Sequence, residues 1–194
     1  MDAMTLKLVG ESPILMHSDR FANPLDPRTK AHKALTSKRK KTDEDHESIA
    51  RSEWMGSLYH DPKLGPYVPT VNVRATLVAG GKLNKLGSAI QRSVLILEDR
   101  ARLDYKGPRE PEKLWETPEF VDARSVVVSN ARLMRYRPVF RDWSLQVEVH
   151  YAATIINRDE LLQCATNAGR FVGLGDFRPE CGGMFGRFRV EVAS

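Results

Sequence analysis

Cysteine is scarce in this chain. Cys164 and Cys181 are the two present in 194 residues, and they offer neither a metal-ligand spacing nor a disulfide framework, which fits a reducing compartment. Long apolar runs are missing as well. No stretch approaches the roughly 18 residues needed to cross a bilayer, and the N-terminus MDAMTLKLVG lacks the pattern of a signal peptide, so no membrane association is expected and the expected location is the cytoplasm. Nor is there a Walker spacing or a GxGxxG motif opening a helix after a strand, so a nucleotide-phosphate loop is disfavoured and no cofactor is expected. Charge is not strongly one-sided: the net is +5, with 15 basic and 10 acidic side chains in residues 1–97 and 15 of each in 98–194. That surplus only mildly favours a polyanionic partner. Hydrophobic content of 41% and charged content of 28% are those of an ordinary globular chain whose length suits one domain, or one domain with a large insertion.

What the chain does have is glycine concentrated at one place. GLGDFRPECGGMFGRFRV, residues 173–190, holds Gly173, Gly175, Gly182, Gly183 and Gly186. Glycine serves where backbone takes a positive φ or closely approaches another backbone or a ligand. A helix terminator explains Gly173 but not the other four. The second reading is a loop whose bare amides at Gly175, Gly182 and Gly183, flanked by Arg178 and Arg187, face an extended polyanion.

Taken in order, TLKLVG (5–10) alternates as a short strand. A long broken stretch follows, with Pro13, Asn23, Pro24 and Pro27, and it holds His17, Asp19, Arg20 and Asp26. Turn chemistry accounts for its acids, and a loop of this length is also a place for function. Residues 28–38 contain good helix formers. Lys38, Arg39, Lys40 and Lys41 then form an unbroken basic run before Thr42 or Asp43, a credible N-cap for a second helix reaching to about residue 59 with Ala50, Trp54 and Leu58 on one face. The run reads as a solvated linker or as a basic finger touching phosphates. A helix is expected over 71–86, with Gly80 and Gly81 marking close packing or a kink, and a buried strand over 91–99 with 101–105 as its partner. The stretch 124–151 is strand-rich, and its Arg132, Arg135, Arg137 and Arg141 interleave with Tyr136, Phe140 and Trp143, as in proteins that stack bases and track phosphates of a single strand. Ion pairs on an open sheet face explain the same pattern. Asn157 caps a helix over 158–172, and 185–192 alternates as a last strand.

These elements predict an α+β protein with a ferredoxin-like βαββαβ core, the arrangement of RNA-recognition domains, carrying an inserted helical region after its first strand. The whole of 1–194 is expected as a single domain, with 11–65 the insertion and 66–194 the rest of the core, including the glycine-rich loop 173–186.

Two segments resemble a known superfamily. PYVPTVNVRATLVAGG (66–81) is similar to the IPGSSLKGxLR segment, and the 173–190 stretch is similar to the C-terminal glycine-rich loop, of the RAMP proteins of CRISPR effector complexes. The nearest analogy is the backbone subunit that polymerises along guide RNA, and the chain as a whole also resembles uncharacterised proteins of tailed phages and prophages. The resemblance implies the fold, a bacterial host cell, and binding of single-stranded RNA or DNA, as a homo-oligomer or as a subunit of a ribonucleoprotein or phage complex. Arg74, where the family motif has small residues, joins the candidate contacts. Some backbone subunits cut RNA with an aspartate in the first loop, which would correspond to Asp19 or Asp26. Two other readings stand beside nucleic-acid binding: an endoribonuclease with His17 as general base, and a phage structural or interaction protein reusing the fold. Activity as an enzyme stays open, with the weight against it.

Overall fold

Met4, Leu6 and Leu8 are buried while Thr5, Lys7 and Val9 between them are half-buried, the two-residue period of a strand with one covered face. This strand, β1 (Asp2–Gly10), opens a computed structural model that describes residues 1–128 and 130–193. After the two-residue β2 (Ile14–Leu15) comes a single 3-10 turn, Asp19–Ala22. Helix α1 (Pro27–Thr36) starts on Asp26, whose carboxylate accepts from the Arg28 amide, with Pro27 in the first turn, where a missing N–H is harmless. Helix α2 (Asp43–Ser57) starts on a capping box: the Thr42 hydroxyl accepts from the Asp45 amide, and the Asp45 carboxylate accepts from the Thr42 amide. Strands β3 (His60–Asp61) and β4 (Gly65–Pro69) lead into helices α3 (Thr70–Lys82) and α4 (Gly87–Ser93). Then come β5 (Val94–Leu95), β6 (Arg100–Arg102), helix α5 (Pro111–Glu116), and strands β7 (Val121–Val128), β8 (Ala131–Phe140) and β9 (Ser144–Tyr151). Helix α6 (Arg158–Asn167), capped by a second box between Asn157 and Glu160, continues into one π turn and ends at Gly173; β10 (Phe188–Ala193) closes the chain.

The result is an α+β chain of antiparallel sheets divided into two compact units, the first formed by Met1–Ile14, Asp61–Lys106 and Arg141–Ser194, the second by Leu15–His60 and Gly107–Phe140. Most of the stretch 11–65, expected as an insertion, lies in the second unit. Its helices share a unit with the hairpin β7–β8, about eighty residues further along, because α2 finds its polar partners there, as described below. The strand-rich stretch 124–151 is correspondingly divided at Arg141 between the two units.

In the first unit a four-stranded sheet runs in the order β10-β1-β9-β5 with every neighbouring pair antiparallel. Leu6 lies opposite Val147, and Leu8 opposite Leu145, all four buried; each such side chain contributes about 1.5–3 kcal/mol by leaving water. Helix α3 buries Val73, Leu77 and Gly80, and α6 buries Leu161, Cys164 and Ala165. The two helices meet where a methyl group on Gly80 would lie 2.5 Å from the Cys164 carbonyl oxygen, so glycine here sets how closely they approach. Two expectations are corrected. Residues 91–99 are not one strand: α4 takes the first part, with Ile90 buried beneath Gly81, and β5 is only two residues long. A short apolar run has no period that separates a buried strand from a buried helical turn. The partner of β6 is β4, with Tyr67 opposite Arg102, rather than the 91–99 run.

In the second unit β7 and β8 pair antiparallel from Val121 opposite Pro138 outward, and β2 lies beside β8. Trp54 of α2 is fully buried and donates its indole N–H to the Phe120 carbonyl at 3.1 Å; its ring lies 5.8 Å from Trp115. A buried indole with a satisfied N–H and an aromatic neighbour anchors the unit's core.

Candidate nucleic-acid interface

The glycine loop is built from its own amides. Gly182 N donates to the Pro179 carbonyl at 2.9 Å, and Gly183 N to the Arg178 carbonyl at 3.0 Å. Phe185 N reaches the Phe177 carbonyl, Leu174 N the Gly186 carbonyl, and Gly186 N the Pro13 carbonyl. The amides of Gly182 and Gly183 are therefore engaged inside the loop and are not the bare donors the sequence suggests. Gly175, at φ +88°, offers its carbonyl to Arg178 Nη1 at 3.3 Å. The side chain of Arg178 is otherwise turned to Glu180, 2.7 Å away. What the loop presents outward is side chain rather than backbone: Phe177 and Met184 are exposed.

The turn that enters the loop carries a second feature. The Arg170 guanidinium sits 5.5 Å over the ring of Phe171, and that ring is 54% exposed. The guanidinium of Arg187, itself exposed, donates to the Arg170 carbonyl, while the Arg187 amide donates to Ser12 Oγ at 2.9 Å. Two arginines and an aromatic face are thus held together at the surface of the first unit. Phe171 and Arg170 escaped the sequence reading because Phe171 falls at helical spacing with Leu161, Leu162 and Ala165, which marks it as core. The π turn that replaces the last helical turn is what brings it out.

The other candidates separate into engaged and open groups. Arg74 ties α3 to the next segment, donating from Nε to the Val94 carbonyl at 3.0 Å and from Nη2 to that of Gln91. Arg135 and Arg137 both donate to Glu53 Oε1, at 3.0 and 2.9 Å, and Arg137 also reaches Ser57 Oγ. Glu53, a buried acid on α2, was not legible as a site residue, since nothing near it in sequence marks it apart from the other acids of that helix. Lys38 pairs with Asp45, and Lys41 Nζ donates to the Lys38 carbonyl at 2.7 Å. Arg39 and Lys40 are exposed in the connection between α1 and α2, as Arg141 is after β8.

The weak catalytic candidates have structural employment. Asp26 caps α1, and Asp19 lies in the first turn of the 3-10 segment, which Ser18 caps. The ring Nε2 of His17 lies 3.4 Å from Arg137 Nη2, and the His17 carbonyl accepts from Tyr59. Among the described residues no three His, Cys, Asp or Glu side chains converge as a metal-binding group, and no helix is long and apolar enough to cross a membrane.

Fold and surface together define an α+β protein of antiparallel sheets, with an exposed arginine and aromatic cluster beside a self-bonded glycine-rich loop. Compared with protein-family models and with curated proteins, the chain matches none.

Proposed function

We propose that this protein binds single-stranded nucleic acid, RNA or DNA, through backbone and base stacking rather than sequence readout, on a ferredoxin-like core of the RAMP type. The strand order β10-β1-β9-β5, with α3 reached after β1 and α6 lying between β9 and β10, supports that core. The observation that carries the binding reading is the Arg170–Phe171–Arg187 cluster. An exposed ring takes a base on its face, and flanking guanidiniums take phosphates, which together give affinity with little preference among bases. Arg39 and Lys40, on a connection between helices, add cations that reach phosphate without a fixed geometry.

Fluorescence anisotropy with labelled single-stranded RNA, single-stranded DNA and duplex, each over a range of salt, tests this. The expected result is a preference for single strands, with a logarithmic salt slope of about 0.7 per phosphate contact. Loss of one stacked base in Phe171→Ala should weaken binding by about 1–3 kcal/mol, and Arg187→Ala should lower the slope. Absence of binding at low salt, or an affinity indifferent to salt and to Phe171, would overturn the reading.

A further inference from the structure

Strand β10 forms one edge of the first unit's sheet, with β1 on one side and, among the described residues, no strand on the other. The direction of its backbone groups follows from the residue before it. The Arg187 carbonyl accepts from the Glu11 amide at 2.8 Å and the Arg187 amide donates to Ser12 Oγ, so both polar backbone groups of Arg187 face the β1 side. Such groups alternate along a strand, and β10 pairs with β1 without interruption from Phe188 opposite Gly10 to Ala193 opposite Thr5. Arg189, Glu191 and Ala193 therefore bond to β1, while the amides and carbonyls of Phe188, Val190 and Val192 point away from the sheet. The π turn closes over the Phe188 carbonyl, where Gly169 has no room for a methyl group. The Phe188 amide and both groups of Val190 and Val192 remain, and an unpaired row of this kind is a template for another strand.

Edges that must stay single are guarded by a proline, a bulge or repelling charges. β10 has none of these. Its sequence FRVEVA lacks proline, its register with β1 has no bulge, and its two charges, Arg189 and Glu191, are of opposite sign and stand one on each side of Val190. That arrangement is self-complementary. When a second copy of β10 lies antiparallel to the first about a two-fold axis at Val190, Arg189 of each copy falls opposite Glu191 of the other. An axis at Glu191 would close as many backbone bonds but set two carboxylates face to face, so charge selects the first register. Positions 189 and 191 are not hydrogen-bonded across this edge, and facing Cα atoms at such positions approach to about 4.5 Å. The exposed 3.0 Å ion pair within each strand is thereby extended across the axis. On the other face of the sheet Val192, 40% exposed, comes beside Phe188 of the second copy. We propose that β10 is the pairing edge for a second copy of this chain, joining two four-stranded sheets into one across a two-fold axis at Val190. One strand pair buries less than the roughly 1,200–2,000 Å² of a stable complex, so the dimer is a weak one.

Sedimentation equilibrium of the full chain, freed of nucleic acid and run from about 1 to 500 µM to cover a weak dimer, tests this. The expected result is a monomer–dimer equilibrium that shifts with concentration. Arg189→Glu places acids at both positions and Glu191→Arg places bases at both, and each should weaken self-association by about tenfold or more. Circular dichroism should show both variants folded, since these side chains are 55% and 42% exposed. Mixing the two variants should restore association as a heterodimer, because every facing pair is then opposite in charge although the pair within each strand stays broken. A chain that is monomeric throughout leaves the edge to a strand of another protein and overturns the assignment. A dimer that both variants leave intact, or a mixture that fails to associate where the unmodified chain does, overturns it equally. With nucleic acid absent, failure of this edge and failure of the Phe171 surface are read separately.

Discussion

Glu53 holds Arg137 at 2.9 Å with both partners withdrawn from solvent, the acid side chain 7% exposed and the arginine 11%. The same carboxylate takes Arg135 at 3.0 Å and the Tyr136 amide at 3.2 Å, so one acid of α2 fixes three consecutive residues of β8. Removing it breaks a buried ion pair from one side, which costs about 3–5 kcal/mol. Glu53→Ala is therefore expected to lower the urea midpoint strongly. Arg135→Ala, whose side chain is 35% exposed, should lower it much less. A double-mutant cycle between Glu53 and Arg137 should give a coupling well above that of a surface pair. Equal, small effects for all three single variants would show that the pair does not hold the hairpin.

The glycine loop separates conformational strain from steric conflict at neighbouring positions. A methyl group on Gly183 would lie 1.7 Å from the Phe177 carbonyl oxygen, whereas one on Gly182 meets nothing within 4 Å and faces only the cost of φ +76°. Left-handed backbone costs a non-glycine residue about 1–2 kcal/mol. Gly182→Ala should shift the thermal midpoint by an amount of that order, and Gly183→Ala by more. The reverse ranking would mean that the loop closes differently from the bonds described here.

Local signals carried well from sequence to structure where they have local causes. Thr42, one of two candidates with Asp43, and Asn157 cap their helices, because a capping box is satisfied within four residues. The close packing expected at Gly80 and Gly81 is present for the same kind of reason, since only a small residue tolerates the neighbour each one has. What was not legible depends on distant partners. Arg135 and Arg137 read either as cations tracking phosphates or as members of ion pairs, and only the fold brings Glu53 to them across more than eighty residues. The exposure of Phe171 turns on a single π turn whose sequence continues a helical pattern.

His32 gives the second unit a pH dependence of defined sign. Its ring stacks on Phe21 with centroids 4.6 Å apart, and Nδ1 lies 3.1 Å from Ser52 Oγ. Burial lowers its pKa below the ordinary 6.5; the charge of Glu53 opposes this, and that of Arg135 adds to it. Since the folded value is the lower one, the unfolded chain takes up the proton first as pH falls. The contribution to stability is present above about pH 6.5 and is lost as pH falls from there through the folded pKa. Urea midpoints measured between pH 7.5 and 5 should fall more steeply for the wild type than for His32→Gln, and parallel curves would contradict the assignment.

The two cysteines should differ sharply in reactivity. Cys164 is buried on α6, with its carbonyl against Gly80, and burial followed by the nearby charge of Glu160 pushes its thiol pKa up, so that it is short of both access and thiolate. Cys181 is exposed in the glycine loop. Thiolate, rather than thiol, is the nucleophile, and it must also be reached by the reagent. A disulfide reagent at pH 8 is expected to modify one thiol per native chain, which peptide mapping should place at Cys181, with Cys164 following only in denaturant. Gly80→Ala provides the sharper test. Pressing a methyl group onto the Cys164 carbonyl should loosen the α3–α6 contact and raise the labelling rate of Cys164 under native conditions, while the rate at Cys181 stays as it was. If Cys164 labels rapidly in the unmodified protein, the packing of α3 against α6 is looser than the close approach at Gly80 requires.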